Sequence, residues 1–271
     1  MSFQAAQFVL PPLPSLRTTT AFGCAIRYYD VGAGAPLVLL HGIGGDADDW
    51  AFCLGALSVS HRVIALDLPG FGRSDKPFLD YTIAGFVEML ERFLRTLSID
   101  HPTLVGHSLG GWIAASYALN FPRQIDNLVL VDSAGVWDDM TELPVDLHVS
   151  TLAHMREIFQ RLFYDKSLAS EALVELAYTQ HLQRNDGYTI HSVLEHLRGG
   201  RERLDERIGA LRVPTLIIWG AEDEMIPRPI GHRIHQLVSA SKLEVIPHCG
   251  HLPNLEKPAE LVRCLLEFAA H

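Results

Sequence analysis

Six short apolar runs, each closing on glycine or on a polar cluster, constrain this chain more than any other feature. They are Leu37 to Leu40, Val63 to Leu66, Leu104 to Gly106, Leu128 to Val131, Leu216 to Trp219 and Leu243 to Ile246. Continuous runs of this length fit strands buried on both faces. Helical periodicity fills the gaps, over Trp50 to Leu57, Ile83 to Leu97, Trp112 to Leu119, Ile230 to Val238 and Leu261 to Phe268. Strand alternating with helix predicts an α/β fold, a mostly parallel doubly wound sheet covered on both faces. Ligands bind such sheets beyond the carboxyl ends of the strands, where the glycine-rich and polar clusters fall.

The third run leads into Gly106, His107, Ser108, Leu109, Gly110, and a helical pattern follows from Gly111 to Leu119. Ser108 therefore sits on a very tight strand-to-helix turn. Glycine two residues to either side fits a backbone so crowded that a Cβ has no room. The turn lifts the hydroxyl off the sheet and aims the first N–H groups of the helix at whatever it attacks. The first run opens into His41, Gly42, Ile43, Gly44, Gly45, and the fourth ends in Asp132. Asp223 follows the fifth run in Gly220-Ala221-Glu222-Asp223-Glu224, and His251 follows the sixth in His248-Cys249-Gly250-His251-Leu252. The chain order is serine, aspartate, histidine.

These motifs resemble the nucleophile elbow and triad of the α/β-hydrolase family, from about Arg17 to the C-terminus, and the family uses this same chain order. The resemblance implies Ser108 as nucleophile, His251 as general base and acid, and Asp223 as the carboxylate that orients the imidazole. It implies an oxyanion hole from the backbone N–H groups of Leu109 and Ile43. Glu222 and Glu224, beside Asp223, read as solvated loop residues. His41 reads as a buried imidazole that shapes its loop, and His248 does not match the family's Gly-His pair. The loop at His41 lacks the three-glycine run of the lipase-like branch, which disfavours bulky tertiary-alcohol esters. An aspartate at the elbow would signal dehalogenase or epoxide hydrolase chemistry; this chain has serine.

Strand alternation stops between Asp132 and Pro214, and the interval reads as helices over Leu147 to Phe163, Leu168 to Leu182 and Tyr188 to Leu197. Residues 1–134 and 208–271 are expected to form the hydrolase core, with 135–207 as a helical cap over Ser108. Candidates for lining the substrate pocket are His107, Trp137, Leu143, Leu147, Leu152, Phe159 and Phe163, with Met225 and Leu252 from the core. Apolar residues at helical spacing also serve as ordinary core.

A net charge of −10 argues against nucleic acid and anionic membranes as partners. No apolar run reaches membrane-spanning length, and the N-terminal segment lacks the basic start of a signal peptide. Cys24, Cys53, Cys249 and Cys264 show neither disulfide nor zinc spacing, which fits free thiols in a reducing cytoplasm. No metal and no cofactor is implied, and a homo-oligomer is left open. The expected function is hydrolysis of carboxylic esters with small to medium apolar acyl groups, through an acyl-enzyme on Ser108. Asp67 to Pro77 (DLPGFGRSDKP) and the cap also resemble the branch of meta-cleavage C–C hydrolases. That branch usually carries Asn before the nucleophile and Trp after the catalytic histidine, where this chain has His107 and Leu252. C–C and enol-lactone hydrolysis are therefore alternatives, as is, from another class, a slow-turnover ligand receptor on the same fold.

Overall fold

The computed structural model of the chain describes residues 10–137, 146–200 and 202–269. The six apolar runs fall on β3 (Pro36–Leu40), β4 (Arg62–Leu66), β5 (Thr103–His107), β6 (Asn127–Val131), β7 (Thr215–Gly220) and β8 (Ser241–Ile246). Each pairs in parallel with its neighbours among them. Two strands escape the apolar-run criterion. β1 (Arg17–Ala21) and β2 (Cys24–Val31) form an antiparallel hairpin, and β2 extends the sheet beside β4. The signal there is a two-residue loop: Phe22 and Gly23 both take positive φ, 52° and 73°, as tight hairpin turns require. The eight strands run in the order β1-β2-β4-β3-β5-β6-β7-β8.

Side chains alternate across the sheet, so each central strand feeds two cores. Val38, Leu40, Ile64, Leu104 and Leu130 pack on one face under α2 (Ile83–Thr96), α3 (Leu109–Asn120) and α7 (Pro229–Leu237). Leu37, Leu39, Val63, Val105 and Val129 pack on the other under α1 (Ala51–Leu57) and α9 (Pro258–Ala269). Each such aliphatic side chain contributes about 1.5–3 kcal/mol when fully buried. β8 is an edge strand, and Lys242 and Glu244 on its exposed side guard it against stray strand pairing.

The described part of the interval between β6 and β7 carries three α-helices, the first two of which start later than periodicity alone gives. The first helix, α4 (Leu152–Leu162), starts five residues after Leu147, because Thr151 caps it by accepting the His154 N–H at 3.1 Å. The second, α5 (Glu171–Arg184), starts after Ser170, which caps Leu173 N–H at 3.3 Å; Leu168 lies in a separate single turn. The third, α6 (Gly187–Arg198), matches closely. Leu143 lies outside the described residues. α8 (Pro253–Glu256) is one short turn between the His251 loop and α9.

The elbow explains its own glycines. A Cβ on Gly106 would lie 2.2 Å from the Gly110 carbonyl oxygen, and one on Gly110 would lie 2.4 Å from the Leu40 oxygen and 2.6 Å from that of His41. Backbone, not a flexible side chain, is what would have to give. Gly110→Ala is accordingly expected to destabilise the fold by about 1–3 kcal/mol or more, measured as a lower denaturation midpoint.

Candidate active site

Ser108 is the N-cap of α3 at φ 51°, ψ −114°, the left-handed side of the map, and its side chain makes no capping bond. Strain of this kind costs about 1–3 kcal/mol and persists only where the surroundings enforce it. Here the Ser108 N–H donates to the Val131 carbonyl at 3.0 Å, and its own carbonyl accepts from Gly111 and Ala134 N–H at 3.0 Å each. The hydroxyl is thereby left pointing into a cavity of about 320 Å³, lined also by Ile43, Leu109, His107 and His251. That volume suits a ligand of moderate size. Leu109 is the first residue of α3, where N–H groups have no acceptor inside the helix, so its amide is available to the cavity.

His251 and Asp223 are both buried, and His251 Nδ1 lies 2.8 Å from Asp223 Oδ2. The other carboxylate oxygen accepts the N–H groups of Met225 and Ile226 at 2.7 and 3.0 Å, which fixes the acid in its turn. An imidazole bound to a carboxylate through Nδ1 presents Nε2 for proton transfer. No hydrogen bond joins Ser108 to His251 among the described residues, though both line the one cavity. Contacts of this type are often long until substrate is in place.

The His251 loop is clamped from several directions. His251 N–H donates to the Leu162 carbonyl at the end of α4, 2.8 Å away. Its carbonyl accepts from His107 Nε2 at 2.7 Å. Glu256 accepts from Gly250 N–H at 2.6 Å and from Asp165 N–H at 2.7 Å, joining the loop to the segment after α4. Glu222, expected to be solvated, instead accepts the Cys249 N–H at 3.0 Å; Glu224 is exposed and pairs with Lys166 at 2.9 Å. Neither touches His251 Nδ1. Burial lowers the His107 pKa to about 3, with the nearby His251 adding to the effect. His41 is fully buried, with Nδ1 2.7 Å from the Gly42 carbonyl and Nε2 accepting Leu68 N–H at 2.9 Å. Both of its ring nitrogens are spent on holding loops together. His248 is exposed, 3.3 Å from the Tyr164 hydroxyl.

Of the expected lining residues, Trp137, Leu147, Phe159, Phe163, Met225 and Leu252 border the cavity. Leu152 does not: as the first residue of α4 it precedes the face formed by Met155, Ile158, Phe159 and Leu162, which is turned to the cavity. The apolar list also missed a charged wall. Asp46, Asp48, Asp49 and Arg184 line the cavity too, and Arg184 from α5 is paired directly with Asp46, at the end of the Ile43 loop. Burial raises the pKa of both Asp46 and Asp49. The pairing of Arg184 with Asp46 crosses 138 positions of sequence, and only the fold reveals it.

Residues 35–258 match the family model described as alpha/beta hydrolase fold. The chain belongs to the α/β-hydrolase family. Among characterised relatives, this hydrolase is 32% identical to 2-hydroxy-6-oxo-2,4-heptadienoate hydrolase of Pseudomonas putida, over 94% of this chain and 96% of that one. It is 31% identical to 2-hydroxymuconate semialdehyde hydrolase of a Pseudomonas species, over 94% and 93% of the two chains. Among solved structures it resembles a meta-cleavage product hydrolase from Pseudomonas fluorescens, with a TM-score of 0.87 at 30% identity, covering 94% of this chain and 97% of that one. No helix among the described residues of this α/β hydrolase is long and apolar enough to cross a membrane.

The burial of His107 has a measurable consequence. Below pH 6.5 the unfolded chain protonates this side chain, whereas the folded protein refuses the proton until about pH 3, so the unfolded state binds more protons and stability falls with falling pH. His107→Gln keeps a donor for the His251 carbonyl and cannot titrate. Between pH 8 and pH 5 the unmodified protein should lose about 2 kcal/mol more unfolding free energy than the variant, read from denaturant curves at each pH.

Proposed function

We propose that this protein is a serine hydrolase of the meta-cleavage type, which cleaves a C–C bond next to a carbonyl in a vinylogous diketone. The reading is carried by one geometric observation: the His251–Asp223 pair at 2.8 Å opens onto the same cavity as the strained Ser108. The relatives named above favour C–C cleavage, the alternative in the sequence reading, over ester hydrolysis, its main expectation.

In this mechanism Ser108 Oγ attacks the carbonyl carbon and its proton passes to His251 Nε2, while Asp223 stabilises the resulting imidazolium. The Leu109 and Ile43 amides hold the oxyanion, each such donor being worth about 3 kcal/mol in the transition state. Collapse of the oxyanion breaks the C–C bond. The electron pair leaves into the conjugated carbonyl of the departing fragment, which takes the proton from His251. Water, activated by His251, then releases the acyl group and restores Ser108. The helices α4 to α6 serve as a cap whose apolar residues hold the organic part of the substrate.

The charged wall favours a second reading. Burial favours the neutral form of Asp46 and Asp49, Asp48 is paired with Arg73 at 2.8 Å, and the Arg184 guanidinium is engaged by Asp46, so the wall suits an uncharged ester better than a dienoate anion. His107 and Leu252, in place of the branch's usual Asn and Trp, point the same way.

A panel of p-nitrophenyl esters of increasing acyl length, run beside an enol-lactone and a vinylogous diketone, separates these readings. On the C–C reading the diketone should exceed the best ester at least about tenfold in kcat/KM, a difference of about 1.4 kcal/mol in transition-state binding. The opposite ranking moves the assignment to ester hydrolysis. Ser108→Ala should lose activity on the preferred substrate by about 10⁴-fold or more with the fold intact. Rapid labelling of Ser108 by a fluorophosphonate with negligible turnover on every compound would instead identify a ligand receptor.

A further inference from the structure

A second carboxyl group stands behind the imidazole. Asp132 directly follows β6, the strand next to β7, and is fully buried at φ 43°. Its Oδ1 accepts the Gly220 N–H at 2.8 Å, whereas its Oδ2 is buried without a partner among protein donors. One oxygen of Asp132, one of Asp223 and one ring nitrogen of His251 all lie within 4.8 Å of one another. Asp223 accepts two amides on one oxygen and His251 on the other, and as an ionised carboxylate it has no proton to offer Asp132. Two ionised carboxylates cannot share such a site cheaply, and one of them keeps its proton.

We propose that Asp132 is a protonated positioning residue that donates a hydrogen bond to Asp223, and that it can replace Asp223 as the anionic partner of His251 when that acid is removed. The inference rests on the reading of Ser108, His251 and Asp223 as the reacting group. Burial, and next the charge of Asp223, push the Asp132 carboxyl well above the usual carboxylate range. The groups facing it are Asp223, His251, the buried Cys249 thiol and Glu256 from α8, with the Gly220 amide as the opposing influence. This proton accounts for an oxygen that otherwise has no partner. With Asp223 absent, the proton is released to solvent, and closing a gap of at most 4.8 Å brings the carboxylate to the His251 ring.

Asp132→Asn is the informative variant, since an amide keeps the acceptor for Gly220 and a donor for residue 223 but cannot ionise. Its effect is compared in the intact protein and in Asp223→Ala, with p-nitrophenyl butyrate and the vinylogous diketone as substrates. Triads deprived of their acid typically lose about 10⁴-fold in kcat. Asp223→Ala alone should lose only about 10²-fold, with activity that climbs with pH as Asp132 ionises, and adding Asp132→Asn should bring the full loss. In the intact protein Asp132→Asn should cost about threefold. Equal fold-losses in the two backgrounds would overturn the proposal and leave Asp132 a scaffold for Gly220.

A second readout needs no substrate: the downfield proton resonance of His251 Nδ1–H should survive in Asp223→Ala at high pH and vanish in the double variant. Its absence from Asp223→Ala at every pH would also overturn the proposal. Because it does not depend on turnover, it separates failure of the Asp132 role from failure of the Ser108 assignment.

Discussion

Backbone pressed against backbone at the turn between β5 and α3 is the constraint on which the rest of the structure depends. With Gly106 against Gly110, and Gly110 against the Leu40 and His41 carbonyls, the start of α3 is wedged between two strand ends. That wedge fixes three things at once. Ser108 is forced into the left-handed region with its hydroxyl free, the Leu109 amide faces the cavity, and the Ile43 loop is brought alongside because it continues directly from β3. The parallel sheet makes the convergence possible, since the carboxyl ends of its strands all open on the same edge. The geometry is bought with local strain, and the buried strands on either side hold it in place.

The His251 loop is less self-sufficient. Its position depends on the end of α4 through the Leu162 carbonyl, on β5 through His107 and on α8 through Glu256. Gly250 is packed so closely on that helix end that a Cβ would lie 2.5 Å from the Leu162 oxygen. The same helix turns Met155, Ile158 and Phe159 to the cavity. A displacement of α4 would therefore reach both the cavity wall and the backbone of His251, so the two share one mechanical element.

What the sequence made legible follows from where each partner lies. Central strands such as Leu37 to Leu40 are buried on both faces and carry an uninterrupted apolar signal. The β1–β2 hairpin has exposed faces and announced itself only through Phe22 and Gly23. Apolar spacing runs past the starts of α4 and α5, which the capping residues Thr151 and Ser170 mark in the sequence. The three residues Ser108, Asp223 and His251 could be named because each sits in a local motif at a strand end. Asp132, Glu256 and Arg184 could not be read in the same way. Asp132 meets Gly220 across 88 positions and Glu256 meets Asp165 across 91, and no local pattern marks either as a partner.

The charged wall shows why a residue count misleads about a cavity. Three aspartates and one arginine suggest a strongly negative surface, yet burial favours the neutral form of Asp46 and Asp49, and Arg184 neutralises Asp46 when it does ionise. The wall is therefore more polar than anionic, and a protonated carboxyl there donates a hydrogen bond where an ionised one would only accept. Arg184 also ties α5 to the core loop that carries Ile43, and Arg73 pairs with Asp48 at 2.8 Å, so Asp46 and Asp48 each have a guanidinium beside them. The charge of the cavity and the position of α5 are coupled through the Arg184–Asp46 pair, and any group that competes for Arg184 must loosen the tie between α5 and the Ile43 loop.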